Sequence, residues 1–452
     1  MTQGEAFEIL KLGHNVFLTG PAGSGKTFLL NKYIGYLKKN NIDVAITAST
    51  GIAATHLNGR TIHSWCGMGI KEAMTDAEIK SLKEKEHLSA RILYAKVLII
   101  DEISMLNAGR LDLVDNICKA FRRDLRPFGG MQVILCGDFF QLPPVAKDGE
   151  DNRFVTESNI WNDMDIKSCY LEEQYRQEDK KFLRVLNDIR GNAVTTNTCS
   201  ILKERLNKSI STKIKPTKLY THNNNVNAEN NFELNKLSGN EKIYEMCSEG
   251  VPHLVQSLKD SYCLSPEILR LKVDAIVMFV KNNFNRYYVN GTLGKVIGFD
   301  DDSNYPIVKT VLGYKIIAYP ESWAIEEGNR IIASISQVPL RLAWAITVHK
   351  SQGMSLDCAE IDLSKAFERG MGYVALSRVR SLDGIKLIGI NELALKVSGK
   401  AIKLDKELNA KSKKDLKGHQ QLGKRIIKKM QKDFLKNNKD DNSSNIIFKI
   451  PF

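Results

Sequence analysis

The 452-residue chain lacks any apolar run approaching the ~18–20 residues that a membrane-spanning helix needs. No membrane partner is therefore expected. Its first ten residues, MTQGEAFEIL, carry neither the basic block nor the apolar block of a signal peptide. The eight cysteines are scattered, and no two stand at C-x-x-C spacing. That spacing excludes a disulfide framework and a zinc site, and Cys66, Cys136 and Cys358 sit in apolar surroundings. A reduced, cytoplasmic protein is expected, nucleoid-associated if the source is bacterial. No internal repeat of fixed period is present.

What is there is ordinary in bulk and uneven in detail. Hydrophobic residues make up 43% and charged residues 26%, as in soluble globular proteins. The length predicts two to four domains with real cores. The net charge is +13, and residues 401–452 hold 14 Lys+Arg against 6 Asp+Glu. More than half of the excess thus lies in the last 52 residues. A basic balance points to an anionic partner such as nucleic acid; composition alone leaves a merely lysine-rich protein equally open.

Along the first half, short buried strands alternate with helical stretches: NVFLTG, then KTFLLNKYIGYLKK, then DVAITAS, KVLIIDE and QVILCGD. This pattern predicts a parallel sheet covered on both faces, with ligands at the carboxyl ends of its strands. TKLYTH, LRLAWAITVH and IKLIGI read as strands of a second sheet. Between the first two, residues 241–335 change texture. VDAIVMFVKNN, GTLGKVIGF and YPIVKTVLGYKIIAYP alternate apolar and polar residues between Gly and Asn turns, which predicts an inserted antiparallel barrel. The segment 401–452 is helical in composition and poor in large apolar residues, and KDDNSSN near its end reads as flexible.

Three segments carry phosphate chemistry. GPAGSGKT, comprising Gly20, Pro21, Ala22, Gly23, Ser24, Gly25, Lys26 and Thr27 and followed by Phe28, fits G-x-x-x-x-G-K-[ST] between a strand and a helix. Glycines let backbone N–H groups converge on phosphate oxygens, Lys26 neutralises β- and γ-phosphates, and the Thr27 hydroxyl suits Mg²⁺. KVLIIDE delivers Asp101 to the metal and Glu102 to the attacking water. GDFFQLPPV places Gln141 after a third strand, where an amide can read the γ-phosphate, with Pro143 and Pro144 stiffening the loop. Together these predict a Mg²⁺-dependent nucleoside-triphosphate hydrolase, without saying what hydrolysis drives. No further carboxylate cluster suggests a nuclease.

The ordered set GPAGSGKT, ASTGIAATHLNGRTIHSW, LIIDEISML, GDFFQLPPV, LEEQYRQED, AITVHKSQGMSLD and GYVALSRVRSLDG resembles the Pif-one family of 5′→3′ DNA helicases, in superfamily 1B, with RecD-type helicases as neighbours. The likeness runs from about residue 3 to about residue 387. It implies an α/β fold of two RecA-like P-loop domains: residues 1–175, carrying a wedge insertion at about 64–90, and residues 176–240 with 336–400. Residues 241–335 would form an SH3-like β-barrel insertion and 401–452 a basic tail, either an accessory DNA contact or a solvated helix.

The resemblance also assigns site residues. Gln3 matches an adenine-recognising position. Arg176 and Arg378 match two arginines that reach the γ-phosphate from the second domain, and Gln352 and Gly353 lie near the nucleotide. Thr50, Gly51, Thr61 and His63 on the first domain, and Thr221, Asn223, Thr347, His349, Lys350 and Ser351 on the second, match contacts to single-stranded DNA. Trp65 suits either a base or the core. The implied activity is ATP-dependent 5′→3′ translocation and unwinding of forked or structured DNA, including quadruplexes or RNA–DNA hybrids, by a monomer in repair, recombination and genome maintenance. Two alternatives stay open: a translocase that displaces proteins, and a recruitment module whose ATPase merely switches DNA binding.

Overall fold

The computed structural model describes residues 1–439 except 58, 70, 144–152, 178, 211–215, 223–225, 262, 282, 289, 312 and 328–329. Asn223, Pro144 and the KDDNSSN stretch beyond Lys439 lie outside the described residues.

The first sheet has six parallel strands: β1 (Val16–Thr19), β2 (Val44–Ala48), β3 (Arg60–Thr61), β4 (Val97–Asp101), β5 (Gln132–Cys136) and β6 (Lys167–Tyr170), in the order β3-β2-β4-β5-β1-β6. Its central strands are apolar over most of their length because both faces are covered; Val97 to Ile100 are all fully buried. Helices α1 (Gln3–Leu10) and α2 (Lys26–Lys39) bury Ile9, Leu10, Leu29, Leu30 and Tyr33 in the core on one face. The other face is larger. There α3 (Gly51–His56), α4 (Ile62–Cys66), α5 (Asp76–Lys83), α6 (Glu86–Tyr94) and α7 (Ala108–Arg122) follow in chain order, and all but α3 contribute to the main apolar core. Trp65 is buried within that core. Its ring is a packing element and is not open to stack a base.

Helices α8 (Asn159–Asp163), α9 (Lys180–Arg190) and α10 (Thr196–Lys203) precede the second sheet. Its strand β7 (Thr217–Tyr220) is followed by α11 (Val226–Lys236) and then by the insertion. The insertion is antiparallel, as its texture predicts, but it has three parts. These are a ribbon of β8 (Lys242–Glu245) with β10 (Ile268–Leu271); a sheet of β9 (Cys247–Gly250), β15 (Glu321–Glu327) and β16 (Arg330–Gln337); and a five-stranded sheet. The five strands are β11 (Ile276–Phe279), β12 (Leu293–Phe299), β13 (Pro306–Thr310), β14 (Lys315–Ile317) and β17 (Leu340–Leu342). Helix α12 (Pro252–Ser261) packs Leu254 and Leu258 against Trp323 and Ile335 of the three-stranded sheet.

LRLAWAITVH is therefore not one strand. It breaks at Ala343-Trp344, with β17 given to the insertion and β18 (Ala345–Thr347) to the parallel sheet. The antiparallel region accordingly reaches residue 342, past the expected 335. The second sheet has the order β18-β7-β19-β20, with β19 (Ala359–Leu363) and β20 (Ile385–Ile390), all parallel. Helix α13 (Met371–Ser377) lies between β19 and β20 in sequence and is buried at every residue.

The basic C-terminal segment is not a tail over its described length. It forms α14 (Gly399–Gln421) and α15 (Lys424–Asn438). Asp415 accepts the backbone N–H of Ser168, Ser412 Oγ accepts that of Tyr170, and the Phe434 ring sits against Gly13 in the α1–α2 core. Composition misses this because a few anchors on one face suffice to dock a helix whose other faces are lysine. No helix among the described residues is long and apolar enough to cross a membrane.

Candidate functional site

The glycine-rich turn joins β1 to α2. Gly23 and Gly25 have φ of 83° and 80°, values that L-residues avoid. A methyl group on Gly25 would stand 2.1 Å from Gln3 Nε2, and one on Gly23 would stand 2.7 Å from Arg176 Cβ. The turn thus has close neighbours on two sides. Gln3 is not a frayed terminal residue. The Met1 ammonium donates to the Tyr170 carbonyl at 2.7 Å, Thr2 caps α1, and Gln3 Nε2 donates to the Ser24 carbonyl at 3.1 Å. Lys26 Nζ donates to the carbonyls of Gly20 at 2.8 Å and Pro21 at 3.1 Å, which holds the ammonium over the loop. Thr27 and Phe28 form the exposed first turn of α2. The free N–H groups and positive dipole end of this 14-residue helix face the same turn.

Strand β4 delivers Asp101 and Glu102. Asp101 Oδ1 accepts the Glu102 N–H at 2.9 Å. Burial pushes both carboxyls up. Glu102 reaches about 7, with Asp101 adding repulsion and Lys26 and Arg378 opposing it. Glu102 has the left-handed backbone (φ 50°), which carries its side chain past the end of the strand.

The second half of the chain meets this edge. Gln352 Nε2 approaches Glu102 Oε2 at 3.4 Å. Tyr373 Oη accepts the Ala22 N–H at 2.9 Å and donates to Asp138 Oδ2 at 3.3 Å. Arg378 is buried; it donates from Nε to the Val374 carbonyl and from Nη2 to Ser377 Oγ, both at 2.9 Å. Arg176 donates to the Ser377 carbonyl at 3.1 Å. The two guanidiniums therefore converge on one residue. Burial, then the neighbouring Arg378, lowers Arg176 to about 9; burial also lowers Arg378, with Glu102 opposing. Two crowded cations favour an anion between or beside them.

A triphosphate fits these residues. Ser24 Oγ, Gln141 Oε1 and Gln352 Oε1 are buried polar atoms without a protein partner, and such groups are costly unless a ligand or water satisfies them. Gly353 (φ 77°) follows Gln352 in the turn after β18. Tyr373 and Asp138 were not singled out by sequence. The signal available was their position inside the quoted motifs.

The strand-contact candidates divide. Thr50, Gly51, Thr61 and His63 line a cavity of about 830 Å³ with Lys85, His87, Arg91, Arg110 and the α12 residues His253 and Leu254. Thr61 also accepts the Ser64 N–H as the cap of α4. Burial, then Arg110, holds the His63 imidazole down at about 4, so it is neutral near pH 7. On the second domain, Thr347 and Ser351 are buried. Thr347 Oγ1 accepts the Lys350 N–H and Ser351 Oγ donates to the Val348 carbonyl at 2.7 Å. Both side chains are buried and hydrogen-bonded within the 3₁₀ turn 349–351, Thr347 as acceptor and Ser351 as donor. Thr221 is likewise buried, its hydroxyl 2.8 Å from His222 Nδ1.

His349 and Lys350 remain, and the structure adds neighbours that sequence reasoning missed. Phe367, 52% exposed, lies between two imidazoles, 4.9 Å from His222 and 6.1 Å from His349 by ring centroids. Arg341 lowers Lys350, second to burial. A lone exposed Phe between β19 and α13 carries no motif, which is why the sequence did not mark it.

A nucleotide cleft at the edge of one parallel sheet, arginines brought by the chain of a second, and a basic cavity beside them agree with the comparisons. The sequence profile described as PIF1-like helicase matches residues 4–197. The ATP-dependent DNA helicase Pif1 of Psychrobacter sp. (strain PRwf-1) is 46% identical over 88% of this chain and 69% of that protein. The chain belongs to the PIF1-like helicase family. It spans about 58% of another relative, the ATP-dependent DNA helicase PIF1 of Danio rerio, at 40% identity over 83% of this chain. Bacteroides Pif1 in complex with ADP-AlF4 superposes with a TM-score of 0.77 at 32% identity, over 90% of this chain and 96% of that one. The same Bacteroides protein bound to single-stranded DNA superposes at 0.63 with 31% identity, over 91% and 97%. As in its relatives, the fold is of the RecA-like type and the activity that of an ATP-dependent DNA helicase.

Proposed function

We propose that this chain moves 5′→3′ along single-stranded DNA and opens forked or structured duplexes, with ATP and Mg²⁺ held between its two parallel-sheet halves. The observation that carries the reading is the pair Arg176, half-buried, and Arg378, buried, which meet on Ser377 beside the glycine-rich turn. Guanidiniums presented from the second half stabilise charge on a transferring phosphoryl group only while the halves are together, which makes hydrolysis conditional on their position. Lys26 and the α2 N-terminus neutralise the phosphates. Thr27 and Asp101 suit Mg²⁺, which supplies charge neutralisation at the phosphate oxygens. Glu102 takes the proton of the attacking water, Gln141 orients that water, and Gln3 reads the base edge of the nucleotide. Gln352 stands beside Glu102, so the strand-holding turn 349–351 is one residue from the hydrolytic carboxyl.

The strand follows His349, Lys350 and Arg341 on one half and Thr50, Gly51 and His63 on the other, through phosphate contacts that need no base reading. Phe367 offers a face for one base. The chain superposes better on the Bacteroides complex with ADP-AlF4 than on the strand-bound form, which supports a further point. The arrangement here, with α12 over the basic cavity, is the strand-free one. Strand separation measured on duplexes with a 5′ or a 3′ overhang tests the proposal. Unwinding is expected only from the 5′ overhang, and Lys26→Ala should abolish it while retaining single-strand binding. Unwinding from the 3′ overhang alone would refute the polarity, and normal turnover by Lys26→Ala would refute the phosphate assignment.

A further inference from the structure

The two C-terminal helices sort their charges by face. At ~100° per residue, the inward face of α14 carries Ala401, Leu408, Ser412 and two of its three acids. Asp405 accepts from Arg190 at 2.9 Å and from the Tyr170 hydroxyl at 3.0 Å, and Asp415 accepts the Ser168 N–H at 2.8 Å. The opposite ~160° stripe holds the exposed Lys403, Lys406, Lys411, Lys413, Lys414 and Lys417, with Glu407 as its one acid. On α15 the exposed Lys424, Arg425, Lys428, Lys429, Lys432 and Lys436 fall within a ~140° stripe, away from the buried Phe434. None of these twelve cations takes part in an ion pair among the described residues; Asp405 and Asp415 are turned onto the protein, and Glu407 and Asp433 stay exposed beside the cations.

This face is not an extension of the first half's part of the strand track. The helices dock on β6 and on the α1–α2 core, whereas Thr50, Thr61 and His63 lie by β2 and β3, at the other edge of the sheet. Five inter-strand spacings of ~4.8 Å put the two edges roughly 24 Å apart, well beyond a Debye length of ~8–10 Å. The cations also lack what single strands require, because the sole Phe, Tyr or Trp of α14 and α15 is Phe434, which is buried. Helical rows of lysine suit a surface that offers phosphates and no open bases. The six cations of α15 run along a helix about 22 Å long, the length of roughly six base pairs.

We propose that the outward face of α14 and α15 is a second nucleic-acid site, which holds the sugar–phosphate backbone of duplex DNA without reading sequence. It would keep the enzyme on the duplex arm of a fork while the track holds the single strand. The proposal is tested on the full chain carrying Lys424→Gln, Arg425→Gln, Lys428→Gln, Lys429→Gln and Lys432→Gln. Binding to a blunt duplex is followed by fluorescence anisotropy over a salt series. Binding to an oligo-dT strand and strand-stimulated ATP turnover are measured in parallel. The glutamine variant should lose tenfold or more in duplex affinity at ~0.1 M salt, and its log–log salt slope should fall by about 3–4, at ~0.9 for each phosphate no longer neutralised. Oligo-dT binding and turnover should stay within about twofold, and five arginines at the same positions should restore duplex binding. Unchanged duplex affinity and slope would overturn the proposal and leave the face to solvent or an acidic protein. Equal loss on duplex and single strand would also overturn it, by merging the face with the track. A parent protein without strand-stimulated turnover would count against the translocase reading alone, because the duplex titration does not depend on it.

Discussion

Glu102 illustrates how burial sets chemistry at a single residue. A carboxyl that titrates near 4 in water is raised to about 7 by desolvation and by Asp101 beside it. Only the deprotonated form accepts a proton from water, so strand-stimulated turnover should climb as pH rises through about 7 and level off above 8. Glu102→Gln should remove both the limb and the activity. A profile flat down to pH 5.5 would exclude Glu102 as the base. Arg378 is tested differently. Its Nε and Nη2 bonds define a fixed fork that an ammonium does not reproduce. Arg378→Lys should therefore retain nucleotide binding yet lose roughly 10³-fold in turnover, within the range known for arginines that act across a cleft. Single-turnover and binding measurements separate the two effects.

At the scale of elements, the short turn after β18 decides which side chains meet the strand. Its tight 3₁₀ geometry consumes Thr347 and Ser351 internally and leaves His349 and Lys350 outward. The quoted VHKSQG marks the turn but not which of its residues point out, since that depends on φ and ψ rather than on identity. The same turn sets His349 parallel to Phe367, at an interplanar angle of 16°. Phe367→Ala should weaken oligo-dT binding by about 1–3 kcal/mol, the usual worth of one stacked base, with little effect on thermal stability because the ring is half exposed. Loss of stability without loss of binding would mark the ring as packing.

At the scale of the whole molecule, polar contacts bridge the two parallel-sheet halves beside the glycine-rich turn, Ala22 to Tyr373, Tyr373 to Asp138 and Gln352 to Glu102, within an apolar core that runs through both. The insertion rests over the basic cavity through His253 and Leu254, with His253 6.4 Å from His87. Saturating oligo-dT should therefore change the small-angle X-ray scattering profile as the insertion moves off the track. An identical profile with bound strand would contradict the strand-free assignment.

The sequence by itself determined what short-range chemistry dictates. The glycine-rich turn, the strand ending in Asp101 and Glu102, the alternating βα order of the first half and the antiparallel texture of the insertion follow from local residue types and spacing. So does the family. Tertiary structure alone decided matters that rest on contacts between distant segments. It split LRLAWAITVH between two sheets, because β17 and β18 find different partners. It placed Trp65 in the core and Phe367 on the surface, although both are large aromatics and carry the same apolar signal. It turned the basic tail into a docked helix pair, because Asp405 and Asp415 gain value only when Arg190 and the free N–H of Ser168 stand opposite them. Hydrophobic pattern and motif spacing act over a few residues, whereas burial, ion pairing and exposure depend on which surfaces the finished fold brings together.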